Sequence, residues 1–152
     1  MSDDELVVRT DVLIAAPPEK VWEVLVDLPR YRDWHPSMTL VSGMGEDDRV
    51  PVVGSTLRLR ARRETPAETE FEVTVTEVNA PSRFTWQGGA AHVLLSQHRW
   101  TLVPEAGGTR VVEEQTFEGP MGRQVFTESR DTLHAWYVEG QTALKKVVER
   151  GQ

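Results

Sequence analysis

Cysteine is absent from the chain, which removes disulfide frameworks, thiolate nucleophiles and Cys-ligated metals together. Basic residues are outnumbered, 17 Lys and Arg against 24 Asp and Glu, and the net charge of -7 argues against a nucleic-acid surface, which carries a basic stripe. No apolar run approaches the roughly 18 residues of a membrane span. The opening MSDDELVV has neither the basic nor the apolar region of a signal peptide. The four histidines are scattered, with no pair at ligand spacing beside a carboxylate, so no metal is expected. Glycine-rich phosphate loops, nucleophile elbows, repeats and low-complexity segments are missing as well. The expectation is one cytoplasmic domain spanning 1–152, a monomer or homodimer without a cofactor, a nucleic-acid partner or a membrane span.

A chain of 152 residues is long enough for a core with an internal pocket. The segment from Leu6 to Ala16 is β-branched and bounded by polar residues and prolines, so it is predicted to be a strand. PPEKVWEVLVD follows as a helix: prolines fit its first turn, and Val21, Trp22, Leu25 and Leu28 recur on one face. Strand patterns then come in quick succession. STLRLRARR, TEFEVTVTEV, SRFTWQG, HVLLSQHRWTLV and TRVVEEQTF alternate apolar with polar residues, and PEAGG joins the last two as a hairpin. Alternation of this kind describes an antiparallel sheet with one buried face and one wet face. Arg58, Arg60 and Arg62 fall on the wet face opposite Glu70 and Glu72, where cross-strand ion pairs account for them. From about Gly122 to Arg150 the chain is free of proline and carries an apolar stripe through Phe126, Leu133, Tyr137, Leu144 and Val148, a long amphipathic helix. One helix laid across a curved sheet of about seven strands cannot fill its concave side, so a pocket is expected between them.

Between the first helix and the next strand lies DLPRYRDWHPSM, predicted to contain a short helical turn. Connections normally use small polar residues. Tyr31, Trp34 and His35 crowded into this one therefore face either the core or a cavity.

The ordered set APPEKVWEVLVDLPRYRDWHP, VGSTLRLR, VTEVNAPSRFTWQG, HRWTLVPEAGGTRVVEEQTFEG and ALKKVVE resembles the START-like, polyketide-cyclase/dehydrase (SRPBCC) superfamily from about Val8 to Glu149. The resemblance implies an α+β helix-grip fold: a curved antiparallel sheet of about seven strands wrapped around a long C-terminal helix, with one or two short helices after the first strand. It also implies a deep apolar cavity for a small hydrophobic molecule. Its members include aromatase/cyclases, lipid and hormone carriers, self-resistance proteins and co-chaperones, so it does not fix the chemistry. Trp34-His35-Pro36 matches a Trp-x-Pro at the cavity rim, where asparagine is the commoner middle residue. Trp34 becomes either a pocket wall or a plug, and His35 faces inward or outward.

Two strands carry the candidate chemistry. Leu94, Ser96, His98, Trp100 and Leu102 share a face, and the apolar bulk around His98 turns that face inward. His98 is then either a proton-exchanging group or a buried neutral imidazole. On the following strand Val111, Glu113, Gln115 and Phe117 share a face, and a bulge would exchange Glu113 for Glu114. In many relatives the residue at Gln115 is an acid, so this chain has one carboxylate fewer. Gly140 interrupts the apolar stripe of the last helix at a cost of about 1 kcal/mol against alanine. Added cavity volume explains it, and so does close approach of a strand. His134 and Trp136 flank Leu133 and Tyr137 and face the cavity mouth or water.

Two readings compete. In the first, an enzyme cyclises and dehydrates a polyketide-like substrate (a lyase reaction), with His98 as base, Glu113 as acid and Trp34, Trp86, Trp100, Phe117 and Tyr137 as walls. His35, Gln115, Leu133 and Gly140 complete the expected ligand site. In the second, a carrier or self-resistance protein uses the same walls without turnover. A co-chaperone role would rest on the outer surface, and nothing in the sequence favours it.

Overall fold

The computed structural model describes residues 6–62, 68–90 and 92–151, and of Arg62 and Glu68 the backbone only. Seven strands form one antiparallel sheet in the order β1-β7-β6-β5-β4-β3-β2. In chain order they are β1 (Val7–Ile14), β2 (Met38–Ser42), β3 (Thr56–Arg62), β4 (Glu68–Asn79), β5 (Arg83–Ala90), β6 (Leu94–Glu105) and β7 (Gly108–Glu118). The sheet curls into a half-barrel around α3 (Gly122–Arg150). Two short helices, α1 (Pro18–Leu25) and α2 (Tyr31–Trp34), fill the connection between β1 and β2. The fold is the expected helix-grip arrangement. Among the described residues no helix is long and apolar enough to cross a membrane.

Local chemistry accounts for the element ends. α1 begins with Pro18 in its first turn, where a missing amide hydrogen costs nothing, and Glu19 sits near the positive end of the helix dipole. Its predicted face is buried throughout: Val21, Trp22, Leu25 and, one turn beyond the helix, Leu28 are all at most 6% exposed. The helix stops at Leu25, short of the predicted Asp27, because the chain leaves helical geometry at Asp27 and re-forms only a single 3-10 turn over Leu28–Arg30. The β6–β7 hairpin needs its glycines. Gly107 and Gly108 have φ of 91° and 144°, and a Cβ on Gly108 would sit 1.9 Å from the Ile14 carbonyl oxygen.

Alternation along the strands sorts the two faces as expected. On the outer face Arg58 pairs with Glu70 at 2.7 Å and Glu72 at 3.1 Å, and Arg60 with Glu70 at 2.8 Å; the Arg62 side chain lies outside the described residues. The inner face carries Leu57, Leu59, Val73, Val75, Phe84, Trp86, Trp100, Leu102 and Val111, which join α1 residues and Leu144 and Val148 of α3 in one core.

Burial along α3 is uneven, and that unevenness makes the site. The buried residues of the helix beyond its first position are Gln141, Leu144 and Val148, all in its last ten residues. At about 1.5 Å per residue the 29-residue helix is about 43 Å long. Its last turns grip the core, while its preceding half spans the open bowl without filling it.

Candidate functional site

The bowl under α3 contains a cavity of about 400 Å³. Its walls come from α2 and the residues after it, from the inner faces of β3 to β7, and from the half-buried stretch of α3. His98, Glu113, Trp34, His35, Trp86, Trp100, Gln115, Leu133, Tyr137 and Gly140 all line it. Phe117 does not. Four residues separate it from α3, which turns back over the end of β7, and its ring is covered edge-on by Phe126 at a centroid distance of 5.7 Å.

The β6–β7 register sets the central group. His98 lies opposite Gln115 and Trp100 opposite Glu113, with no bulge between the two strands. Glu113 therefore points inward and Glu114 outward, where it pairs with Arg9. His98 Nε2 lies 2.7 Å from Glu113 Oε2, and the two side chains are 10% and 9% exposed. Its Nδ1 lies 3.1 Å from Gln115 Oε1, and the Tyr137 hydroxyl donates to the same oxygen. The Gln115 carbonyl is an acceptor, so Nδ1 carries a proton and Nε2 is the end that shares one with Glu113.

Aromatic rings hold this chain of hydrogen bonds in place. The imidazole of His98 lies 4.2 Å from the Trp100 ring, 5.8 Å from Trp86 and 4.9 Å from Tyr137, the last edge-to-face. Burial, helped by the nearby negative charge of Glu113, pushes the Tyr137 phenol well above its ordinary range. Its hydroxyl therefore stays a donor. Glu113 uses Oε2 on His98, and Oε1 has no partner among the described residues. Among the described residues no Lys or Arg lines the cavity, and the other acidic residue of the lining, Glu72, is paired to Arg58 on the outer face.

α2 supplies the opposite chemistry, a packed aromatic cluster. Tyr31 is fully buried, and its hydroxyl donates to the Leu25 carbonyl at the end of α1. The Trp34 and His35 rings lie 4.8 and 5.4 Å from that of Tyr31, the second stacked at 15°. These contacts explain why three rings crowd one connection: they plug one end of the half-barrel and face the cavity at the same time. His35 takes the inward of its two expected orientations. Its Nδ1 accepts the amide hydrogens of Ser37 and Met38 at 3.1 and 3.0 Å. Loss of hydration pushes its pKa down to about 4. Gly140 is explained by that ring and not by a strand: an added Cβ would lie 3.1 Å from His35 Nε2.

Other lining residues escaped the sequence reading as site residues. Ser96 and Phe71 sit on inward faces already legible from alternation, so the signal was present. For Tyr31 and Trp136 the sequence left the cavity as one of two choices, and for Gln141 it offered nothing, since whether a ring or amide on a helix reaches a cavity depends on how the helix is rotated against the sheet. Trp136 faces inward, whereas His134 is exposed. Among the described residues no cluster of three or more His, Asp or Glu is placed to hold a metal ion.

Known structures share this architecture. The chain superposes on TTHA0849 from Thermus thermophilus with a TM-score of 0.72 at 20% identity, covering 96% of this chain and 99% of that one. It also matches the di-domain ARO/CYC BexL from the BE-7585A biosynthetic pathway (TM-score 0.69, 16% identity, 95% of this chain and 48% of that one). A third match is DynU16, a putative protein in the dynemicin biosynthetic locus (TM-score 0.70, 22% identity, 96% and 48%). The chain spans about half the length of the latter two. At these identities the likeness shows the fold. No curated protein matches the chain. The sequence family described as polyketide cyclase / dehydrase and lipid transport matches residues 5–150. With nearly the whole chain matched and the helix-grip fold in place, the protein belongs to the polyketide cyclase / dehydrase and lipid transport family.

Proposed function

We propose that the cavity binds a neutral, polyketide-like molecule and promotes its cyclisation and dehydration by proton transfer at Glu113 and His98. The observation that carries this reading is the 2.7 Å Glu113–His98 contact, set in an aromatic-walled cavity with Glu113 Oε1 unpartnered among the described residues. A lining without Lys or Arg among the described residues favours a neutral ligand over a fatty acid or phosphate, because an anion would meet Glu113 without a counter-charge. Membership of the family and the biosynthetic setting of BexL and DynU16 point the same way.

The geometry modifies the roles expected from sequence. Both nitrogens of His98 are engaged, so Glu113 Oε1 is the base that meets the ligand and His98 holds the carboxylate and its proton in place. A carbon flanked by two carbonyls gives its proton to Glu113. The resulting enolate carbon forms a bond to the carbon of a further, distant carbonyl, whose π electrons move to oxygen and take the proton back. Loss of water follows: the proton on the ring-closing carbon goes to Glu113, and the hydroxyl leaves with a proton from the pair. A carbon acid of that kind is already activated, so positioning and a modest base suffice.

Glu113→Gln keeps the shape and removes the base. Turnover of a synthetic linear tetraketone to its aromatised, dehydrated ring is expected to fall by roughly a hundredfold or more. Affinity for the tetraketone stays within about tenfold, or about 1.4 kcal/mol. His98→Ala is expected to act in the same direction. Unchanged turnover in Glu113→Gln would contradict the reading. One observation favours a carrier instead: both nitrogens of His98 are occupied, Nε2 by Glu113 and Nδ1 by Gln115, whose Oε1 also takes the Tyr137 hydroxyl. A carrier would retain the tetraketone unconverted in the wild type, with native mass spectrometry showing the unchanged mass.

A further inference from the structure

His35 stands at the cavity wall with its proton fixed in place by the backbone. Its Nδ1 lone pair is taken by the amides of Ser37 and Met38, so the single proton of the neutral ring is fixed on Nε2. The ring cannot turn over to reverse this without losing both bonds. Nε2 looks toward Gly140 of α3, where the missing side chain leaves it uncovered, and both residues line the cavity. No acceptor among the described residues meets Nε2. Burial keeps the ring neutral across the physiological range.

From this geometry we infer that His35 Nε2–H is a fixed hydrogen-bond donor for a ligand carbonyl oxygen, and that Gly140 is bare so that the oxygen can reach it. The inference rests on the cavity being the ligand site proposed above and adds what the ligand must present: a neutral acceptor, in a molecule whose body is apolar. A donor facing an apolar cavity is costly while unpaired, and a ligand without an oxygen there leaves it so. Selectivity for ketones over hydrocarbons of the same shape follows. His35 is a positioning residue in this account, since it orients the carbonyl and takes no proton.

The test uses a pair of probes of matched shape, acetonaphthone and isopropenylnaphthalene, in which a ketone oxygen replaces a methylene. Affinity is read from quenching of tryptophan fluorescence in the wild type and in His35→Phe. The ketone preference is expected to fall by about fivefold to tenfold in the variant, with alkene affinity little changed. A fall of less than about threefold would overturn the assignment. A second readout needs no variant: in a long-range nitrogen–proton spectrum of the wild type, His35 is expected to carry its proton on Nε2. Its Nε2 resonance is expected to move with acetonaphthone and stay fixed with the alkene. A proton on Nδ1, or equal movement with both probes, would overturn the inference. If both probes bind and the preference is insensitive to His35, the cavity reading stands and this inference fails. If neither probe binds the wild type, the cavity reading itself fails.

Discussion

Burial holds His35 neutral by denying its charged form water, with the pKa moved from 6.5 to about 4. The unfolded chain therefore takes up a proton on this residue below pH 6.5 while the folded chain does not until about pH 4. Stability tied to His35 is complete above pH 6.5 and declines as pH falls between those values, by about 3 kcal/mol at the limit. Urea unfolding at several values between about pH 4.5 and 7.5 is expected to show a steeper decline for wild type than for His35→Phe; parallel curves would contradict it. The same residue marks where sequence reading ended. That rings crowd this connection, and that they must face something apolar, followed from composition alone. Which way His35 turned did not, because the amides of Ser37 and Met38 that orient it are backbone groups, and any sequence would supply them.

Among the elements, the strands were the most legible because their period of two assigns each side chain to a face. His98, Glu113, Gln115, Trp86 and Trp100 were all placed inward by that alternation, and the structure has them on one cavity. Alternation failed to say where the cavity ends. Phe117 shares the face of Glu113, yet α3 turns back over it through Phe126. The helix itself was legible in length and stripe but not in what faces Gly140. Alanine there is expected to gain about 1 kcal/mol of helix propensity and to lose it against the His35 ring, whose nitrogen lies 3.1 Å from the new Cβ. A double-mutant cycle by urea unfolding checks this: Gly140→Ala should stabilise a His35→Ala background by about 1 kcal/mol and give little or nothing in wild type. An equal gain in both backgrounds would show that the glycine has another cause.

For the molecule as a whole, the half-barrel is closed at one end by packed core and left hollow under α3. That hollow was foreseeable from area alone, since one helix cannot cover seven curled strands. An open surface groove was not foreseeable: it runs between α1, the end of α3 and the segment around Arg49, and Trp34 lines it as well as the main cavity. Trp34 is the one described residue common to the two linings, so it acts as a partition. Trp34→Leu is expected to raise the length of the longest alkylnaphthalene retained in native mass spectrometry, and an unchanged limit would contradict the partition. The central claim is that the bowl beneath α3 holds a neutral apolar molecule against Glu113 and His98. Titration with the uncharged fluorophore phenylnaphthylamine tests it most directly. Saturable binding at one molecule per chain, abolished by filling the wall with Ala61→Trp, is the result expected; no saturable binding, or binding indifferent to Ala61→Trp, would contradict it.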